Sequence, residues 1–526
     1  MSALGNRTAI LTLSRLASFG LMLISPIFLV RVLTVVDFGR YREFLLYGAI
    51  LQSFAQFSIN DSLLYCVPAN PDSPWRLARQ TALLTLCSSL LVVLVLAALD
   101  TASGGQVVHG YFIPLAAYTL FSVNMDFWEY FWLARGHAKP VFFYSAGRLT
   151  LRVVVVVIVA AVTHDFHAII WSLVALEAAR LLVAGVAMLV FDRSRYEPVL
   201  QEPWRDQLRF CIPSGTASLL AMLNRNVSNV IVARLLGAAA LAQYAIGRFG
   251  EPVVTTVRNS ISAVILPEMV RKGRGEGSQP GTAEGPQRGT ARDTCLLARD
   301  ARSQAAQVGK GPQVGPQVGP LGLWQKATVV NAIMLLPIVV LVARYAEPLV
   351  TLVFGSNYAS AALIMQLYMI VVIRECFDFA PALRAVNRTR PLVESNVAGF
   401  VTCTVAMLLL IPLAGLAGAM LAFVIASYVD VTWLGWRTRQ AYGVTVAELI
   451  PWRSIARTAL AAAVAALLIA NSVWTDVFGR AGIALAGLVY LAAYAGLLQV
   501  LRIPEAIVLQ AWGKRVVLRR ASQARS

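Results

Sequence analysis

Charge is scarce in this chain, and so are cysteine, histidine and lysine. Charged residues fill 14% of its 526 positions, against about 25% in a soluble globular domain. The six cysteines, Cys66, Cys87, Cys211, Cys295, Cys376 and Cys403, are scattered. No pair has CxxC or metal-ligand spacing, so neither a zinc site nor a disulfide framework is indicated. His109, His137, His164 and His167 fall in connections or at helix ends. A solvated loop explains His164 and His167 better than a proton or metal site does. There is no Walker motif, no GxSxG, no HExxH and no glycosyltransferase-type DxD in a polar loop. The sequence therefore gives no support for an enzyme, calls for no cofactor, and implies no nucleic-acid partner. Without a nucleotide site, any transport would draw on an ion gradient, the membrane potential or the substrate's own gradient.

What the chain has instead is apolar surface. Hydrophobic residues make up 58%, and the mean hydropathy is +0.67. Apolar runs of about 20 residues, each long enough to cross a ~30 Å hydrocarbon layer, recur along the chain. Fourteen candidate spans lie near 9–33, 42–64, 77–99, 110–133, 141–163, 167–191, 208–235, 243–266, 324–344, 359–383, 392–412, 415–436, 454–471 and 482–501. The first run is too long for a signal-peptide core and has no small-residue cleavage site, so it reads as a retained helix. The expected fold class is an all-α polytopic membrane protein.

Orientation follows from the connections. Arg76 and Arg79, Arg135 and Lys139, Arg193 and Arg195, Arg388 and Arg390, and Arg437 and Arg439 stand in alternate connections. The connections near 100–109, 164–167, 236–242 and 413–414 carry no Lys or Arg. By the positive-inside rule both termini are cytoplasmic. Arg40, Arg344 and Arg480 are the exceptions to the alternation.

The chain also echoes itself. Val30-Arg31-Val32-Leu33 runs on to Tyr41, and Ala233-Arg234-Leu235-Leu236 runs on to Tyr244, an offset of 203 positions. A second echo, Ala134 to Pro140 against Ala385 to Pro391, is offset by 251. Between the two later copies lies a Gly/Pro-rich stretch, 272–322, that includes a tandem Gly-Pro-Gln-Val repeat. Too polar to bury a core, it reads as a disordered cytoplasmic insertion. Removing it lets one period fit both echoes. Duplicated halves commonly build a transport pathway at their interface. The expected organisation is a six-helix bundle over 1–204 and a second over 205–440 with the insertion 272–322. Two extra helices and a basic tail follow over 441–526.

Charges inside spans cost a few kcal/mol each and normally face protein or a water-filled interior. In the eighth span Arg248, Glu251, Thr255, Arg258, Asn259 and Ser262 fall on one helical face. Gln52, Gln56 and Asn60 form a thinner stripe at the equivalent place in the second span. Each stripe could line a cavity or bind neighbouring helices through hydrogen bonds. Arg225 sits mid-span among Asn224, Asn226 and Asn229. Arg225, Arg248 and Arg258, with Glu251 and Asn259, are the candidate cationic floor of a substrate cavity, because Arg binds phosphate oxygens bidentately and keeps its charge when desolvated. Asp126 and Glu129 in the fourth span, Arg148 and Arg152 in the fifth, and Arg374, Glu375 and Asp378 in the tenth form a candidate ion-coupling or structural network. Within it Arg374 and Asp378 have i,i+4 spacing, and Glu177 with Arg180 reads as a local pair. The net charge of +18 comes from about 40 arginines and few lysines. A high-GC genome, which also enriches Ala, Gly and Val, and a cationic interior both account for it.

The repeated motif from Arg31 to Tyr41 and Arg234 to Tyr244, together with Leu349 to Tyr358 containing Phe354-Gly355, resembles the polysaccharide flippase branch of the multidrug/oligosaccharidyl-lipid/polysaccharide exporter superfamily. The resemblance covers roughly 5–500 without the insertion. It implies two pseudo-symmetric six-helix bundles plus two C-terminal helices. It also implies alternating access that moves an undecaprenyl-diphosphate-linked oligosaccharide from the cytoplasmic to the periplasmic leaflet of the bacterial inner membrane. Glycosyltransferases and a polymerase for O-antigen, capsule or exopolysaccharide are the partners it implies, besides the lipid-linked oligosaccharide and membrane lipids. A lipid II flippase or a cation-coupled drug exporter of the same fold is the alternative. A drug exporter needs cavity acids to outnumber bases. A membrane polysaccharide polymerase or ligase is the alternative of another class, and it calls for a large external loop.

Overall fold

A computed structural model describes residues 24–104, 110–124, 126–191, 197, 203–273, 319–469 and 473–505. These residues are helical throughout, with no strand among them. The helices are α1 (24–32), α2 (Val35–Gln56), α3 (Leu63–Ala69), α4 (Pro74–Ala102), α5 (Phe112–Val123), α6 (Phe127–Ala134), α7 (Ala138–Thr163), α8 (Phe166–Phe191) and α9 (Pro203–Gly247). They continue with α10 (Glu251–Gly273), α11 (Pro320–Phe354), α12 (Ala361–Glu375), α13 (Ala380–Ala385), α14 (Arg390–Tyr442), α15 (Val446–Leu449), α16 (Trp452–Leu467) and α17 (Val473–Val500). Helix accounts for most of the described part of every apolar segment read from the sequence, with breaks at 57–62, 248–250 and 376–379. Most of the first span and most of the 272–322 insertion lie outside the described residues.

Among the described residues, seven helices are long and apolar enough to cross a membrane by themselves. Two of the long helices are bent by glycine. Gly415 in α14 has φ 55° and ψ −130°, and Gly237 in α9 has φ 81° and ψ −179°, conformations that essentially only glycine adopts without strain. The arms of α14 fold back closely enough that a Cβ on Gly418 would stand 2.1 Å from the Leu410 carbonyl oxygen. One continuous helix therefore supplies two of the fourteen spans.

The helices are inside-out relative to a soluble bundle. In α4 the buried positions include Gln80, Thr81, Thr85 and Ser89, while Leu91 and Leu94 are exposed. Leu189 is 85% and Leu413 81% exposed. Such faces are stable against lipid tails, where helix association rests on close packing and interhelical hydrogen bonds. Gln207 at the start of α9 illustrates the second term. Its Nε2 donates to Ser62 Oγ at 2.7 Å and to Thr81 Oγ1 at 2.8 Å, and its Oε1 accepts from Gln80 Nε2 at 2.8 Å. The C-terminal pair docks on α11 along a seam of small residues: Ala461, Ala462 and Ala465 of α16 share a core with Val329 and Ile333 of α11 and with Tyr490 and Tyr494 of α17.

The repeated motif carries the pseudo-symmetry. Thr34 caps α2 by accepting from the Asp37 amide at 3.1 Å, and the equivalent position in the second copy is the bend at Gly237. The helix thus breaks at the same point of both copies. Arg31 donates to the Leu352 carbonyl at 3.1 Å and the Val353 carbonyl at 3.4 Å, at the C-terminus of α11, where a cation is favoured by the helix dipole. Its counterpart Arg234 stands over the Tyr47 ring of α2, 5.6 Å from the centroid. Each repeat arginine therefore reaches into the other half. The halves meet most tightly where a Cβ on Gly39 would lie 2.0 Å from the Ala238 carbonyl oxygen.

Candidate functional site

The turn Arg248-Phe249-Gly250 interrupts the helix between Gly247 and Glu251. The polar face read as one continuous stripe is therefore interrupted after Arg248, because the 100° periodicity does not carry across the turn. Arg248 and Glu251 face one place, and Arg258 and Ser262 another.

Arg248 and Glu251 line a cavity of about 180 Å³ between the halves, with Pro26 of α1, Phe38 and Arg42 of α2, and Asn229 of α9. Arg248 is 6% exposed. Its Nη1 donates to Ser228 Oγ at 2.9 Å and to the Tyr244 hydroxyl at 3.4 Å, and its Nη2 donates to Glu251 Oε2 at 2.7 Å. The Phe423 ring lies 4.0 Å from the guanidinium carbon. Tyr244 is the repeated motif's own tyrosine, so the motif holds a cavity arginine in place. Arg42, which follows the other motif tyrosine, is half-buried and has no hydrogen bond or ion pair among the described residues. Two guanidinium groups thus share the cavity with one carboxylate. Sequence reasoning missed Arg42. Its signal was its position next to the repeated Tyr41.

Arg225 is exposed and has no ion-pair partner among the described residues. It sits one turn before Asn229 of the cavity wall, while Asn224 donates to Asn396 Oδ1 of α14 at 3.1 Å. Arg258 lies apart from the cavity. It pairs with Glu375, stands 4.0 Å from Asp378 and reaches Asn259 Oδ1 at 3.4 Å. Ser262 donates to Asp378 Oδ2 at 2.7 Å.

The acid–arginine network resolves into two clusters at equivalent helix breaks. The fourth span breaks between α5 and α6, and the tenth between α12 and α13. At the first break Asp126 pairs with Arg148, lies 3.7 Å from Arg180, and accepts from Gln56 Nε2 at 2.9 Å. Arg180 also pairs with Glu177, as the local spacing indicated, and donates to the Tyr144 hydroxyl at 3.1 Å. At the second break Glu375 bridges Arg258 and Arg374, the latter at 2.6 Å. Arg374 also pairs with Asp430 and donates to the Ser427 carbonyl at 3.1 Å.

Three expectations change here. Arg374 does not pair with Asp378, because α12 ends at Glu375 and the i,i+4 geometry is lost. Arg152 makes no ion pair among the described residues and faces Tyr118, 5.9 Å from its ring. Glu129 makes no ion pair among the described residues. Of the second-span stripe, Gln52 and Gln56 act in interhelical hydrogen bonding: Gln52 Nε2 donates to Ser122 Oγ at 2.7 Å and Gln56 Nε2 to Asp126 Oδ2 at 2.9 Å, while Asn60 lies in the turn after α2, its side chain buried without a hydrogen bond. Among the described residues no group of three or more His, Cys, Asp or Glu is placed to hold a metal.

The comparisons with known proteins agree with this architecture. The lipid II flippase MurJ in an inward closed conformation superposes with a TM-score of 0.61 at 12% identity, over 93% of this chain and 99% of MurJ. A superfamily transporter from Pyrococcus furiosus superposes at 0.45 with 11% identity, over 83% of this chain and 94% of its own. An inward-facing multidrug resistance transporter gives 0.44 with 11% identity, over 82% and 96%. At these identities the likeness to MurJ is one of fold. No curated protein matches the sequence. The family model described as polysaccharide biosynthesis protein matches residues 4–271. With half of its length matching that model, the chain belongs to the polysaccharide biosynthesis protein family.

Proposed function

We propose that this chain is a flippase that moves an undecaprenyl-diphosphate-linked oligosaccharide across the bacterial inner membrane, by alternating access, for surface polysaccharide biosynthesis. The observation that carries the reading is the charge of the central cavity: Arg42 and Arg248 against Glu251 alone. A diphosphate brings negative charge, and a guanidinium released from water but not yet paired binds it strongly. A drug cation would meet repulsion from Arg42. Arg225, one turn from the cavity wall on an exposed face, extends the cationic path.

The cavity lies between the two copies of the repeated motif, so rocking of one half on the other would open it to alternate sides. The close approach of Gly39 to Ala238, beside the bend at Gly237, is the pivot of this reading. In it both termini are cytoplasmic, as the Lys/Arg connections indicate, and glycosyltransferases and a polymerase act on the same lipid before and after it. Arg258, Asp126, Glu375 and Asp378 hold the halves internally.

The test is the pool of lipid-linked intermediates in a deletion strain. The account expects undecaprenyl-linked repeat units to accumulate, surface polysaccharide to disappear, and a plasmid copy to reverse both. Accumulation of a peptidoglycan precursor would assign lipid II instead. Unchanged pools with altered drug or ion efflux would reject both flippase readings.

A further inference from the structure

Away from the central cavity, one membrane end of the first half holds a second enclosed space, of about 460 Å³. Its walls come from the start of α4 (Trp75), from α6 and the residue after it (Trp128, Trp132, Arg135), from α7 (Tyr144) and from the C-terminal half of α8 (Val183, Phe191). Three features define its chemistry. The walls are aromatic and aliphatic: Trp75 meets Trp128 edge-on at 6.2 Å, and Trp128 stacks on Trp132 at 6.4 Å. The Nε1 of Trp128 is buried with no acceptor. The one cation, Arg135, is exposed, lies 5.5 Å over Phe131 and 6.0 Å over Trp132, and makes no ion pair among the described residues.

The α8 wall shows from where a ligand would enter. Leu182 is 71%, Val183 72% and Val190 68% exposed, a face that only hydrocarbon would cover in a membrane-spanning helix. The slot thus opens sideways to the bilayer, and its polar end carries an arginine that stands over two rings. A sugar alone would leave hydroxyls against the aliphatic wall of Val183, Ala184 and Ala187. A lipid satisfies both ends, with a chain in the slot, a phosphate on Arg135, and an oxygen available to Trp128 Nε1.

We propose that this slot is a binding site for a phosphate-bearing lipid, distinct from the central cavity and independent of the flippase reading. The phosphate could belong to a bulk anionic phospholipid or to a polyprenyl phosphate. The test is native mass spectrometry of the full chain in mild detergent, titrated with phosphatidylglycerol, undecaprenyl phosphate or diacylglycerol. The proposal expects one saturable site for the phosphate lipids and binding of diacylglycerol roughly tenfold weaker, since a hydrogen bond to a charged group is worth at least that factor. Arg135→Gln should cost about the same factor, Ala187→Trp should fill the slot and abolish the site, and Arg388→Gln, exposed elsewhere, should change nothing. Preference for phosphatidylglycerol would assign bulk lipid, and preference for undecaprenyl phosphate would assign the carrier lipid. Equal affinity of diacylglycerol, or undiminished phosphate-lipid binding in Arg135→Gln, would overturn the proposal. Arg135 is an exposed rim residue, so this arm remains decisive even if Ala187→Trp fails to fold.

Discussion

Arg42 and Arg248 line the same cavity, and only Arg248 is matched by a carboxylate, Glu251 at 2.7 Å. The two arginines follow the two copies of one motif, yet they do different work. Arg248 is held by Ser228, Tyr244 and Phe423 as well, so it shapes the site. Arg42 keeps its donors for whatever enters.

This division predicts opposite phenotypes. Arg42→Ala should leave the melting temperature in detergent within about 2 °C of wild type, because no partner is lost, while complementation of the deletion strain fails. Arg42→Lys should recover part of the activity, since it keeps the charge but not the fork. Arg248→Ala should lower stability by on the order of 2–4 kcal/mol, from a lost cation–π contact and buried acceptors left unpaired, and should reduce the folded yield.

Glu375 holds two arginines, Arg258 and Arg374. Glu375→Ala leaves Arg258 with only the distant Asp378, so the expected cost is about 3–5 kcal/mol. The double variant Arg258→Leu with Glu375→Leu should be more stable than Glu375→Ala alone, because it removes the uncompensated charge. Thermal unfolding of the three proteins in one detergent reads this. Equal stability of the single and double variants would mean that Arg258 does not depend on Glu375.

Gly39 stands where the halves meet. A methyl there would clash with the Ala238 backbone at 2.0 Å, and backbone cannot step aside as a flexible side chain can. Gly39→Ala should cost about 1–3 kcal/mol and lower the melting temperature. Gly147→Ala, where a Cβ meets nothing within 4 Å, is the control and should be neutral or slightly stabilising.

The helices were legible in the sequence because hydropathy alone decides which segments cross a bilayer, and the duplication because Arg31-to-Tyr41 and Arg234-to-Tyr244 have identical spacing. Glu177 and Arg180, three apart in an unbroken helix, were also readable. Two of the errors share one cause. Periodicity arguments assume continuous helix, and this chain breaks its helices beside its charged residues. The turn at Phe249 separates Arg248 from Arg258, and the end of α12 at Glu375 separates Arg374 from Asp378. Arg42 was hidden because its neighbour Glu43 turns into a different interface. Which stripe lines a cavity and which binds another helix is a property of the partner helix: Gln52 and Gln56 meet Ser122 and Asp126, and nothing in their own segment says so.

The central claim is that the cavity between the halves selects a diphosphate through Arg42. The most direct measurement is binding of undecaprenyl diphosphate and of uncharged undecaprenol to the purified full chain, wild type and Arg42→Ala. The account predicts that wild type prefers the diphosphate and that Arg42→Ala loses roughly tenfold or more of that affinity while binding undecaprenol unchanged. Equal affinity of the two proteins for the diphosphate would contradict it.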